Sequence, residues 1–204
     1  HTSLKDLAQA LGVSIPTVSR ALKDSPEISR ELCAKAKALA KEMNYRPNPF
    51  AMSLRKNAPR IIGVIVPDIV THFFASILNG IENMAIANGY FVIITTSHES
   101  YEHEKRNIEN LVNMRVEGII ACLSQETTDF SHISALKDIN MPLILFDRVC
   151  LTDQFSSVIA DGAQSAQMAT QHLLDNGSKR VAFIGGANHL DIVKRRKHGY
   201  LEAL

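Results

Sequence analysis

Ile15, Pro16, Thr17 and Arg20 are the residues of this 204-residue chain whose types and spacing first suggest a chemistry. They gather near the start of one short helix, where apolar contact beside a cation suits entry into the major groove of DNA. Residues 44–57, NYRPNPFAMSLRKN, suggest a second contact of the same kind. There Leu54 is an apolar wedge for a minor groove, and its basic flanks suit phosphates. The alternative is a linker whose apolar residues dock on a neighbouring domain. Catalytic patterns are missing from the sequence. No GxGxxG follows a strand (Gly185-Gly186 reads as a turn), and there is no Walker loop and no GxSxG. The eight histidines show no HExxH and no metal-ligand spacing. His98 with His103 reads as a solvated pair, and Glu102 and Glu104 read as part of a polar helix face. The expectation is a binding protein and not an enzyme, with no metal and no cofactor.

The elements that must hold Arg20 in place are legible in Ser3 to Leu22, SLKDLAQALGVSIPTVSRAL. Leu4, Leu7, Ala8 and Leu11 repeat at helical spacing, with Ser3 as N-cap and Asp6 as its capping-box partner. Gly12 stops that helix, since it tolerates the left-handed conformation of a C-terminus. Ser14 caps a second helix, in which Pro16 is tolerated because first-turn N–H groups lack partners anyway. Val18, Ala21 and Leu22 form its buried side. The pair reads as a helix-turn-helix, or more blandly as a helical hairpin. Ser29 caps a third helix, whose stripe of Leu32, Ala36, Leu39, Ala40 and Met43 closes a small core over the first two. Beyond it, Pro47 and Pro49 keep residues 46–48 extended, and Pro49 opens a helix of about two turns, too short to be stable alone.

Charge divides the chain in the same place. The formal net charge is only +1. Residues 1–60 hold eleven Lys/Arg against five Asp/Glu, a net +6, while residues 61–204 hold eleven against sixteen, a net −5. A basic head on an acidic body suits a polyanion at the head alone. Three distant cysteines, Cys33, Cys122 and Cys150, fit a reducing compartment. No signal segment opens the chain, and no apolar run approaches the roughly 18 residues of a membrane span. The expected location is the bacterial cytoplasm, at the nucleoid when bound to DNA.

From Ile61 the pattern alternates. Short apolar strands are expected at residues 61–66, 90–96, 118–122, 143–147, 157–160 and 181–184. Helices are expected at about 74–85, 102–114, 133–139 and 162–175. This rhythm implies a parallel sheet covered on both faces, with ligands beyond the carboxyl ends of its strands. Asp68, Thr96, Ser97, Leu123, Ser124, Asp147 and Asp161 fall at such ends.

Together these stretches resemble bacterial transcriptional regulators of the lactose-repressor (LacI/GalR) type. The likeness rests on LKDLAQALGVSIPTVSRAL, YRPNPFAMSL, IGVIVPDI followed by HFF, RVEGII, LFDR, HLLDNGSKRVAFIGG and RKHGY, in that order. It implies a helical head and a two-lobed core like that of periplasmic binding proteins. The expected division is a head at 1–46, a hinge with a short helix at 47–60, a first lobe at 61–161 and the start of a second at 162–204, incomplete where the sequence ends. It also implies a homodimer on a near-palindromic DNA operator, controlled by a small-molecule effector. Carried over, Ile15, Pro16, Thr17 and Arg20 face base edges, with Arg20 matched to guanine and Leu54 prying open the central step. Ser3, Ser14, Ser19, Tyr45, Asn48 and Arg55 would hold phosphates. Met52 stands where the family commonly has Arg, so a charge expected in the hinge is absent. Phe73, Phe74, Ser124, Asp147 and Arg196 would hold the effector; paired aromatics with a carboxylate and Arg suit a sugar-like molecule, while purines and other metabolites use the same fold. The rival from another class is a free-standing solute-binding protein, against which the basic head argues.

Overall fold

The computed structural model describes residues 2–45 and 60–204, and the expectations for Asn48, Met52, Leu54, Arg55 and the hinge helix lie outside the described residues. The chain divides into two compact units, His1–Asn57 and Ala58–Leu204.

In the first unit α1 (Leu4–Leu11), α2 (Ile15–Ala21) and α3 (Arg30–Glu42) pack around Leu7 and Val18, both fully buried. The ends are set by local chemistry. Ser3 Oγ accepts from the Asp6 N–H at 3.3 Å, while Asp6 Oδ2 accepts from the Ser3 N–H at 2.8 Å. That reciprocal pair is the capping box read from the sequence. Those hydrogen bonds from Ser3 hold the Asp6 carboxyl below its ordinary pKa. Gly12 sits at φ 65°, where a side chain would be strained. Ser14 caps α2 through the Thr17 N–H, and Ser29 caps α3 through the Leu32 N–H. The α3 stripe is shifted from expectation: Cys33, Ala36 and Ala40 are buried, while Leu32 is half-exposed. Short side chains let α3 approach Ala21 of α2 closely.

The second unit is built on a parallel sheet in the order β2-β1-β3-β4-β5, with β1 (Ile61–Val66), β2 (Phe91–Thr96), β3 (Gly118–Ala121), β4 (Leu143–Phe146) and β5 (Ser156–Val158). Its helices are α4 (His72–Ala87), α5 (Tyr101–Asn113), α6 (Ser131–Asp138), α7 (Gly162–Asp175) and α8 (Asp191–Ala203). Ile61, Ile65, Ile119 and Leu145 pack on one side with Leu111 of α5 and Ile133 of α6. Val64, Val66 and Phe146 pack on the other with Phe74 of α4. Period-two alternation thus feeds two cores from one set of strands.

Two expectations are corrected here. No strand forms at residues 181–184: among the described residues nothing pairs with it, and Ile184 is 97% exposed. An apolar run needs a ladder partner before it is a strand. Instead Phe183 stacks on Tyr200 of α8 at 5.4 Å, and the Tyr200 hydroxyl donates to the Val181 carbonyl. The second correction is Glu104, which is fully buried rather than on a polar face. It shares the inward side of α5 with Ile108 and Leu111, at the i, i+4, i+7 spacing of a helix stripe.

Candidate functional site

The exposed face of α2 carries the first group of candidates. Ile15, Pro16 and Arg20 are exposed and Thr17 is half-exposed, whereas Val18 and Ala21 anchor the opposite side. The Ser14 and Thr17 hydroxyls lie 2.8 Å apart at the helix start. Arg20 Nη1 donates to Glu27 Oε2 at 2.8 Å, a contact the sequence reading missed. Of the expected phosphate-binding residues, Ser3 is held in the α1 cap, Ser19 is half-exposed, and Tyr45 packs against the Leu7–Val18 core. All of these belong to one unit, and its surface offers an apolar-plus-cationic patch about one helix wide.

The second unit holds a cavity of about 600 Å³ that runs over the face of β3, β4 and β5, from Ile120 and Ile144 within the strands to Asp147 at the carboxyl end of β4. Three of the five effector candidates line it: Phe73, Asp147 and Arg196. Phe73 is half-exposed and offers its ring; Ile77, Ile120 and Phe146 extend the apolar wall. The Asp147 backbone is left-handed at φ 58°, an unusual conformation that turns the chain at the end of β4. Burial raises the Asp147 pKa, opposed by the positive charges of Arg148 and Arg196. Gly162, the first residue of α7, leaves room for the Arg196 stem: a Cβ there would lie 3.3 Å from Arg196 Cγ. Arg195 pairs with Asp191 at 2.6 Å on the same rim.

Phe74 and Ser124 do not line this cavity. Phe74 is only 6% exposed and packs edge-on against Phe73 at 5.1 Å and Phe146 at 6.4 Å. Adjacent helix positions point about 100° apart, so one phenylalanine faces the cavity and the next the core. Ser124 is fully buried, its hydroxyl donating to Glu104 Oε2 at 2.8 Å and lying 3.2 Å from the Ser100 carbonyl. Among the described residues no group of three or more His, Cys, Asp or Glu is arranged to hold a metal. No described helix is long and apolar enough to cross a membrane.

Residues 3–48 match the profile of the bacterial regulatory proteins of the lacI family, and residues 60–204 match that of the periplasmic binding proteins and sugar binding domain of the LacI family. The chain belongs to the LacI family. Among relatives of the LacI family, catabolite control protein A of Priestia megaterium is 31% identical over the whole chain and 62% of its own length. The ribose operon repressor of Bacillus subtilis is 32% identical over 99% of the chain and 60% of its own length. The chain therefore spans about 60% of the length of these curated relatives. Among solved LacI-family structures, a lac repressor dimer bound to operator and an anti-inducer matches the whole chain and 61% of its own with a TM-score of 0.76 at 26% identity. The Cra regulator of Pseudomonas putida with fructose 1-phosphate matches 71% of the chain and 53% of its own with a TM-score of 0.67 at 28% identity.

Next to Asp147, two polar groups that sequence reasoning overlooked tie the strand-end loops together, one part-buried and one fully buried. Arg148, directly after Asp147, makes a bidentate pair with Glu99 at 2.6 and 2.9 Å and donates to the Leu123 carbonyl at 3.2 Å. Glu99 also accepts from the Gln125 N–H at 2.7 Å. One ion pair thus joins the loops after β2, β3 and β4. Burial is the largest single influence and acts to raise the Glu99 pKa, but the Arg148 hydrogen bond, the Gln125 N–H and the Arg148 charge together outweigh it, and the net shift is down. Burial is likewise the largest influence against the Arg148 charge, but the Glu99 hydrogen bond together with the charges of Cys122, Glu99 and Asp147 more than offsets it, so its pKa is raised. Deeper, the Glu104 carboxylate accepts from the Ser124 N–H and hydroxyl, from Thr127 Oγ1 at 2.9 Å and from His132 Nε2 at 2.8 Å. Within LFDR, Asp147 faces the cavity while its neighbour Arg148 holds the loops together.

Proposed function

We propose that this chain is the DNA-binding head, hinge and effector-binding part of a transcriptional repressor. Residues 1–46 form the head and 47–60 the hinge; 61–161 form the first lobe and 162–204 begin the second. The head places α2 in the major groove, with Arg20 donating to guanine O6 and N7 and Ile15, Pro16 and Thr17 against neighbouring base edges. Ser3, Ser14, Ser19, Tyr45, Asn48 and Arg55 contact phosphates, and Leu54 wedges the minor groove. The protein acts as a homodimer on a near-palindromic operator in the bacterial cytoplasm.

The effector is a sugar-like molecule with one apolar face. Phe73 supplies the face contact, Asp147 accepts hydroxyl protons, and Arg196 donates to oxygens. Two of the relatives reported above support this class: one is named for a ribose operon, and another was solved with fructose 1-phosphate. Effector binding favours one relation of the lobes, which shifts whether paired hinge helices form and so whether the dimer holds its operator. The observation that carries the reading is a basic head with an exposed α2 face on the same chain as a cavity joining Phe73, Asp147 and Arg196.

The test is selection of operators from random DNA by the full-length protein at fixed salt, repeated across a panel of sugars and sugar phosphates. A palindrome should be enriched, and one class of sugar should change its retention. If no palindrome is enriched, the repressor reading is wrong.

A further inference from the structure

Arg20 is not a free cation in the head. Its Nη1 meets Glu27 Oε2 at 2.8 Å, with both side chains more than half exposed, at 59% and 67%. Glu27 is not on a loose tail. The Ser25 N–H donates to the Arg20 carbonyl and the Ile28 N–H to the Ser25 carbonyl, folding the loop back on the end of α2. Ile28 then packs against the cluster of Ala21, Cys33 and Ala36. The Glu27 backbone is therefore held beside the end of α2 by a turn anchored in the core of the head, which puts its carboxylate within reach of the Arg20 guanidinium.

The contact uses one nitrogen, Nη1, and leaves Nη2 and Nε outside it. A guanidinium has five donors in a planar fork. The edge formed by Nη2 and Nε keeps two parallel N–H groups, the number a guanine O6/N7 pair accepts. A phosphate approaching the same cation meets the Glu27 charge as well. Guanine, which is neutral, does not. We propose that Glu27 is a specificity-determining residue: it positions Arg20 for guanine and discourages its use on phosphate, so the head holds random DNA less well than its cationic surface would. The energy of such an exposed pair in the free protein is small. Its effect lies in discrimination between two DNA ligands rather than in fold stability.

This inference rests on Arg20 as a base reader, and the experiment separates the two. The full-length wild type, Glu27→Ala, Glu27→Gln and Arg20→Ala, and the Arg20→Ala/Glu27→Ala double variant, are titrated with the selected palindrome and with a random duplex across a salt series. Glu27→Ala should bind random duplex more tightly, with the salt slope steeper by about one. Its ratio of palindrome to random affinity should fall about tenfold, the lower end of what one bidentate base contact confers. Glu27→Gln, which keeps an acceptor for Nη1, should recover part of that ratio. In the Arg20→Ala background the Glu27 change should leave the ratio untouched. A Glu27→Ala ratio equal to wild type, with the palindrome still relaxed by Arg20→Ala, overturns the inference and spares the repressor reading. A ratio that Arg20→Ala itself leaves unchanged overturns the base-reading role and this inference with it. Melting temperatures of each variant accompany the titrations, and a ratio that follows stability alone across the variants also counts against Glu27.

Discussion

At the scale of single residues, Arg20, Asp147 and Glu104 each carry a different kind of charge problem. Arg20 faces solvent, so its loss is felt on DNA: Arg20→Ala should cost about 1–3 kcal/mol of discrimination, read as affinity for palindrome against random duplex. Asp147 pays a burial penalty as a carboxylate. Its raised folded pKa means the folded state holds the proton more tightly. The associated stability is full below the ordinary Asp pKa and is lost as pH climbs through the raised value. Asp147→Asn removes that loss, and Asn tolerates the left-handed backbone. Urea unfolding should therefore show the variant gaining stability near neutrality relative to mildly acidic pH, while affinity for the effector falls. Glu104 is the opposite case: it is buried yet surrounded by four donors. Glu104→Ala leaves those donors without an acceptor and should cost about 3–5 kcal/mol in the same assay.

At the scale of elements, the head was readable because its signals are local. Ser3 with Asp6, Gly12, Ser14 with Pro16, and Ser29 each act within four residues, and each falls where the chain turns or a helix starts. The α/β rhythm was readable for the same reason. What stayed hidden depends on partners distant in sequence. Glu99 meets Arg148 across 49 residues, and Glu104 meets His132 across 28. A charged residue on a periodic stripe looks solvated until the donors that satisfy it are known. The expected strand at 181–184 had the right composition but no ladder partner among the described residues. α8 carries no clear apolar period, since six of its thirteen residues are charged, and only RKHGY within it is legible, as part of the family resemblance. Its packing is set by Gly199, where a Cβ would fall 1.9 Å from the Ala163 carbonyl oxygen. That neighbour is backbone and cannot rotate away. Gly199→Ala should force α8 off α7, cost about 1–3 kcal/mol or more in thermal unfolding, and weaken effector binding through the displaced Arg196.

At the scale of the whole molecule, charge and length matter more than any contact. In the proposed repressor, the +6 of residues 1–60 and the −5 of residues 61–204 place affinity for DNA almost wholly at one end of the polypeptide. Raising salt should weaken DNA binding steeply and leave effector affinity nearly unchanged, as measured by titration of the same sample with each ligand. A comparable salt dependence for both ligands would mean that the acidic part also touches DNA.

The carboxylates of Glu99 and Glu104 reach into the loop after β3 and accept hydrogen bonds from the N–H groups of Gln125 and Ser124. Loop amides ordinarily trade hydrogen with solvent quickly. These two should exchange more slowly than their loop neighbours, the buried Ser124 amide most of all, marking the start of the loop after β3 as part of the slow-opening portion of the fold. Deuterium uptake would show it as an island of slow exchange inside a loop.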